Sequence, residues 1–203
     1  MDIMKSTKDY IRNVLDTIRY DFGELMVANI FWVLLILPII TIPAAFAGLN
    51  YFISQLVSNE PATRKIFFEG VKKYFRASYT WFLFNVIIIV LLLFNIDLGI
   101  KNSQLLWLQF LSGIYWVILA VWMLLQIYTF PLLIRQDKPK LMLALRNSAI
   151  LWFKHTGFSL LLSVVIILLI GVSLYLYPLW FVITGSLIAY LANLSVVYLL
   201  SKE

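Results

Sequence analysis

The sequence predicts an all-α membrane protein, a polytopic bundle of six membrane helices arranged in three hairpins. Apolar residues make up 63% of the 203-residue chain and charged residues only 13%. An average soluble domain has about 45–50% apolar residues and about 25% charged residues. Long uncharged stretches alternate with short basic segments, which is typical of chains that cross a bilayer several times. We therefore expect one membrane domain over residues 1–203, with amphipathic helices at its cytoplasmic surface or in the membrane interface.

Residues 1–24 predict an amphipathic N-terminal helix. Apolar side chains recur at helical spacings along one face, and charged side chains occupy the other. The apolar stripe consists of Ile3, Tyr10, Val14, Ile18 and Phe22, with Leu15 alongside. Such a helix lies in the membrane interface or packs on the protein's own cytoplasmic face, and the pattern fits both.

Residues 25–57 predict a helical hairpin broken by two prolines. The stretch from Leu25 to Asn59 is 35 residues long and uncharged. A single helix of that length would rise roughly 50 Å, against a hydrocarbon core of about 30 Å. Pro38 and Pro43 cannot donate backbone hydrogen bonds and disfavour helix at the preceding residues. We expect helices over about 25–39 and 43–57 with a break at Thr41; the alternative is one long, kinked first helix and five spans.

The rest of the chain predicts two further units, each a basic helix followed by a hairpin. In residues 58–134, a basic segment precedes uncharged spans at 77–96 and 105–134. In residues 135–203, a second basic segment precedes 46 uncharged residues, enough for two spans. Their turn is expected at Tyr177-Pro178-Leu179-Trp180.

The distribution of lysine and arginine predicts the orientation. The segments 58–76 and 135–154 hold five each, and the turn at 97–104 holds one. The positive-inside rule then places both basic segments in the cytoplasm. Both termini are expected on that side too, because the N-terminal segment holds four basic residues. A label showing an extracellular N-terminus would contradict the hairpin.

Few residues could carry chemistry. The chain has no cysteine and one histidine, His155, at the edge of a span. No ionisable side chain lies well inside a span, which disfavours a proton-coupled carrier and an intramembrane enzyme. We therefore predict no catalytic, metal or cofactor site. The basic residues that give the chain its net charge of +6 lie beside apolar spans. The expected partner is therefore the lipid bilayer and not nucleic acid.

The spans do contain amide and hydroxyl side chains. In lipid such groups usually form hydrogen bonds between helices. The alternative is a polar cleft for a neutral solute such as a sugar, and its candidate lining is Asn29, Thr41, Asn50 and Asn85.

Three segments resemble a known family. They are Asn29-Ile30-Phe31-Trp32, the break Pro43-Ala44-Ala45-Phe46-Ala47-Gly48-Leu49, and the basic aromatic stretch from Phe67 to Ala77. Together they resemble the YesL family of small bacterial membrane proteins, whose domain has no assigned function. The resemblance is best over residues 20–80. It implies a location in the bacterial plasma membrane and a genomic association with carbohydrate uptake and breakdown, and it supplies no site residues.

Two functions remain as expectations. The first is a non-enzymatic accessory or regulatory membrane protein associated with carbohydrate uptake, with sugar-importer subunits or a second copy of itself as partner. Its docking surfaces would be the amphipathic helices expected at 3–22, 62–76 and 140–153. The alternative is a small transporter or channel for a neutral solute such as a sugar.

Overall fold

A computed structural model describes residues 7–102 and 104–202, and these residues fold into an all-α bundle. The predicted fold class is confirmed. Ile3 and the other residues before Thr7 lie outside the described part of the chain. The helices are α1 (Thr7–Tyr20), α2 (Phe22–Ile36), α3 (Ile42–Val57), α4 (Arg64–Lys73), α5 (Phe75–Lys101), α6 (Leu106–Ile134), α7 (Leu141–Lys154), α8 (Thr156–Tyr175) and α9 (Gly185–Leu200).

Five helices in the described residues are long and apolar enough to cross a membrane. They comprise a segment that includes α3, then α5, α6, α8, and a segment that includes α9. The sixth apolar helix, α2, has only 15 residues, about 22 Å of rise against a core of about 30 Å. Six apolar helices are therefore present, but one is shorter than a full span.

The predicted break separates α2 from α3. A single 3₁₀ turn, Ile39–Thr41, joins them. Pro43 lies in the first turn of α3, where backbone N–H groups have no partner within the helix, so its missing N–H costs no hydrogen bond. The chain reverses here, because Trp32 of α2 packs edge-to-face on Phe46 of α3 with 5.7 Å between ring centroids. The structure thus contains a hairpin and not the long, kinked helix of the alternative.

The α2–α3 hairpin is shorter than the α5–α6 hairpin. The Tyr79 hydroxyl, in the second turn of α5, donates to the carbonyl of Ile40 in the break. From there α5 continues to Lys101. The tip of the opening hairpin therefore lies beside the first turns of α5 and not at its far end.

Both basic segments lie at one end of the bundle, which we call the basic end. The hydroxyl of Tyr74, between α4 and α5, donates to the carbonyl of Ile134 at the end of α6 (2.7 Å). The short helices α4 and α7 precede the long helices α5 and α8.

Helix α9 is the most enclosed of the long helices, and α1 covers part of it at the basic end. The Thr7 and Tyr198 hydroxyls are 3.1 Å apart, so the two ends of the described chain lie together. Tyr10 and Thr17 are the residues of α1 buried against α9. Of the predicted apolar stripe, Ile18 and Phe22 are exposed, because Thr17 replaces them at the contact by bonding Tyr190 (2.8 Å).

Candidate functional site

A cavity inside the bundle is the main candidate site. Its volume is about 550 Å³, and its walls come from α2, α3, α5, α6, α8 and α9, with Trp180. This volume falls within the range of small-molecule sites, about 300–1,000 Å³. The wall is almost wholly apolar, and its polar members are the amides of Asn50, Asn85 and Gln126 and the indoles of three tryptophans. The cavity therefore includes two of the four predicted cleft residues.

Asn50 joins the central helices of the bundle. Its amide nitrogen donates to the carbonyl of Phe46 in its own helix (3.0 Å). Its Oδ1 accepts from Nδ2 of Asn193 on α9 (3.1 Å). Both residues are buried. Because both ends of the Asn50 amide are bonded within the protein, this side chain crosslinks α3 and α9.

Asn85 belongs to a reciprocal pair of tryptophan–amide bonds between α5 and α6. Trp122 Nε1 on α6 donates to Asn85 Oδ1 on α5 (3.0 Å). In the opposite direction, Trp81 Nε1 on α5 donates to Gln126 Oε1 on α6 (2.9 Å). The Asn85 nitrogen donates to the carbonyl of Trp81 (2.8 Å). Each helix thus contributes a tryptophan and an amide four residues later, which places both on one helical face.

Asn29 does not line the cavity. It is fully buried, where its nitrogen donates to the carbonyl of Trp180 (2.8 Å). Its Oδ1 accepts from the backbone N–H of Ser186 (3.0 Å). Between them lies a π-helical turn, Trp180–Thr184, in which the regular backbone bonding of an α-helix is interrupted. Asn29 therefore bridges α2 to both ends of this turn.

Thr41 belongs to the break between α2 and α3 and is also absent from the cavity wall. Its hydroxyl hydrogen-bonds to the carbonyl of Pro38 (2.7 Å) and to that of Leu35. The Pro38 carbonyl also accepts from the backbone N–H of Thr41 (2.8 Å). Pro38 and the turn interrupt the regular α-helical bonding at this point. The tip around them is strongly apolar and exposed, with Leu37, Ile39 and Ile40 each more than 70% exposed. This combination suits a turn in contact with lipid, where backbone groups need partners from the protein.

The site offers packing and an apolar space but no ionisable group. The cavity lining contains no Asp, Glu, Lys, Arg or His. Within residues 7–102 and 104–202, no three His, Cys, Asp or Glu side chains come close enough to hold a metal. The amides of Asn50, Asn85 and Gln126 are hydrogen-bonded within the protein, whereas Nε1 of Trp32 is buried without a partner in the described part of the chain. The wall therefore presents mainly hydrocarbon.

Gln126 lines the cavity and Asn193 bonds Asn50, but neither residue belongs to the predicted cleft. Trp81 and Trp122 are likewise outside the predicted cleft. A signal was present, because Trp81-x-x-x-Asn85 and Trp122-x-x-x-Gln126 repeat one spacing on adjacent spans. Asn193 has no such local signal, since its pairing with Asn50 depends on how α9 is rotated.

A second groove, about 560 Å³, lies at the basic end between α1, α3 and α9. Its polar members include Asp16 of α1, Asp21 between α1 and α2, and Arg135. Tyr10, which holds α1 in place near this groove, bonds Ser195 (3.0 Å). Burial raises the pKa of the Tyr10 phenol above its usual value, although the hydrogen bond to Ser195 partly opposes this. The neutral phenol is therefore the form that holds α1.

Residues 25–96 match a family described as "Protein of unknown function, DUF624". This range contains the three segments on which the resemblance rests, so the expected likeness to a family without assigned function is confirmed over this stretch. Comparisons with the curated proteins and with the solved structures found no match.

Proposed function

We propose that the protein is a non-enzymatic accessory or regulatory component of the membrane that acts through contacts with other membrane proteins. The observation that carries this proposal is the use of the intramembrane amides. Asn29, Asn50 and Asn85 are each bonded at both ends within the protein. Side chains bonded in this way stabilise the bundle and have fewer groups left to bind a solute.

The basic end supplies the proposed contact surface. Helix α4 ends in Lys72 and Lys73, Arg76 follows in the first turn of α5, and all three are exposed. Exposed Phe68 and Phe75 lie on the same stretch. Positive charge beside aromatic side chains favours a partner that presents acidic residues next to an apolar surface. We propose a membrane-embedded subunit of a carbohydrate importer as that partner, on the strength of the family resemblance.

Affinity purification from the native membrane tests this proposal. Importer subunits should co-purify with the wild-type protein, and the double variant Lys72→Glu/Arg76→Glu should recover far less of them. Asn102→Glu adds negative charge at the opposite end of the bundle, where α5 ends, without breaking an ion pair, and serves as the control. Equal recovery with all three proteins, or no importer subunit with the wild type, would contradict the proposal.

A small transporter for a neutral solute is the second candidate, because the cavity reaches Asn50 and Asn85. Proteoliposomes containing only this protein distinguish the two functions. The accessory role predicts no sugar flux above empty vesicles. It also predicts that Asn50→Leu and Asn85→Leu lower the stability of the bundle without a selective uptake defect. Saturable flux that either substitution abolishes in a stable protein would establish the transporter instead.

A further inference from the structure

The apolar cavity exists because α9 presents small side chains to it. Gly185, Ala189 and Ala192 recur at helical spacing on the face of α9 that lines the space. The ring of Trp32 occupies the space beside Gly185, whereas Ala189 and Ala192 border the open volume. Across the cavity, α5 and α6 are bonded to each other through their reciprocal tryptophan–amide pairs. These hydrogen bonds occupy polar groups of α5 and α6 on the cavity wall. No side chain fills the space between these helices and α9.

The cavity lies at the depth of the hydrocarbon core and is partly open. Val86 and Met123 belong to its wall and are also 41% and 54% exposed. Ile166 contributes the wall on α8 from the middle of that helix. All three residues lie within the interior of helices that are long and apolar enough to cross a membrane. The surroundings of the opening are therefore lipid chains.

The lining selects hydrocarbon over a sugar. The three amides on the wall already have partners in the protein, so a bound sugar would leave most of its hydroxyls without hydrogen bonds. Each buried, unpaired polar group costs about 1–3 kcal/mol. An acyl chain has no such groups and gains dispersion contacts with the lining. Nε1 of Trp32 is a buried donor on this wall without a partner among the described residues, but an ordered water needs two to four polar partners.

We propose that an acyl chain of a bilayer lipid enters this cavity laterally and occupies it in the membrane. This assignment is independent of the accessory function, because it concerns the interior of the bundle and not the basic end. The chain fills the space that Ala189 and Ala192 leave open between α5, α6 and α9. It makes the lipid a structural part of the bundle.

Photo-crosslinking with a phospholipid that carries a diazirine near the end of one acyl chain tests the proposal. The purified full-length protein is reconstituted in phosphatidylglycerol/phosphatidylcholine vesicles, irradiated, and mapped by mass spectrometry with residue-level fragmentation. Ile166 and Ile167 are adjacent on α8, but Ile166 is only 6% exposed whereas Ile167 is 62% exposed. A chain in the cavity labels Ile166 as well as Ile167, whereas lipid around the outside of the protein labels Ile167 alone.

Ala192→Leu fills the cavity and should lower labelling of Ile166 by about tenfold while leaving Ile167 unchanged. Ala120→Leu, on an exposed face of α6, is the matched control and should change neither. Ala189→Leu serves as a second filling variant if Ala192→Leu does not give a monodisperse protein. Absence of label at Ile166 in the wild type, or equal label at Ile166 in the filled variants, would overturn the proposal.

Discussion

Gly185 lies against the indole ring of Trp32, where α9 approaches α2. A Cβ at this position would come within 2.7 Å of two ring carbons of Trp32 and 3.0 Å of Oδ1 of Asn29. We expect Gly185→Ala to lower the free energy of unfolding by about 1–3 kcal/mol, the usual cost of overpacking. Thermal unfolding in detergent measures this. Gly171→Ala, with nothing within 4 Å of the added carbon, should be neutral or slightly stabilising; equal losses at both sites would refute the expected clash.

Asn29 is the second residue on which the α2–α9 contact depends. Asn29→Leu removes one donor and one acceptor, leaving the Trp180 carbonyl and the Ser186 N–H without these partners. We expect a loss of about 1–3 kcal/mol in the free energy of unfolding. Asn95→Leu is the control, because Asn95 donates only to Leu91 of its own helix. The structural role of Asn29 would be wrong if both variants unfolded at the wild-type temperature.

At the scale of elements, the α2–α3 hairpin depends on two hydroxyl groups. Thr41 bonds the carbonyls of Leu35 and Pro38, and Tyr79 bonds that of Ile40. Thr41→Val and Tyr79→Phe should each lower the free energy of unfolding by about 1–3 kcal/mol, because carbonyls in this apolar turn lose a donor that lipid cannot replace. Chemical unfolding in mixed micelles measures the loss. Thr80→Val is the control, because the Thr80 hydroxyl bonds only the carbonyl of Arg76 in its own helix, and it should lower the free energy of unfolding less. An equally large loss in this variant would count against a special role for the break.

Helix α1 is held by phenols, so its docking depends on pH. Burial raises the pKa of Tyr10 in the folded protein, while an unfolded tyrosine has a pKa of about 10. The stability that Tyr10 contributes is thus fully present below about pH 10 and declines above it, by up to about 1.4 kcal/mol per pH unit. Unfolding of the wild type and Tyr10→Phe, compared from pH 8 to 11, should show the wild type losing stability faster only at the alkaline end. Parallel curves would contradict this.

For the whole molecule, the arrangement of the helices predicts which ends share a side. Thr7 lies against Tyr198, and both basic segments are at that end. Because the chain has no cysteine, single cysteines can report topology. In intact cells, an impermeant maleimide should label Asn102→Cys, whereas Lys138→Cys and Lys202→Cys should react only after permeabilisation. External labelling of Lys202→Cys would reverse the proposed orientation.

Much of this architecture follows from where charges are absent. The uncharged stretches predicted at 77–96 and 105–134 correspond to α5 and α6, and Pro38 and Pro43 located the break. Helix α5 runs further than its uncharged stretch because Asp97 and Lys101 form an ion pair one turn apart (2.6 Å) and sustain the helix. Composition therefore predicts spans better than it predicts helix ends.

The site was less predictable, because it depends on the rotation of each helix about its axis. Asn50 and Asn85 reach one cavity, while Asn29 faces the π-helical turn and Thr41 remains in the break. No pattern in the sequence predicts that Asn50 contacts Asn193. The cavity arises from the volume missing at Ala189 and Ala192, and alanines in a span are equally compatible with close packing.

The bond between Tyr79 and Ile40 sets an order for assembly during synthesis. Thr41 can complete its bonds as soon as the first hairpin has formed, since its partners are within six residues. The Ile40 carbonyl must wait for Tyr79, 39 residues later. At the usual elongation rate this is a delay of about 2–8 s. The opening hairpin therefore reaches its final hydrogen bonding only when α5 is inserted beside it.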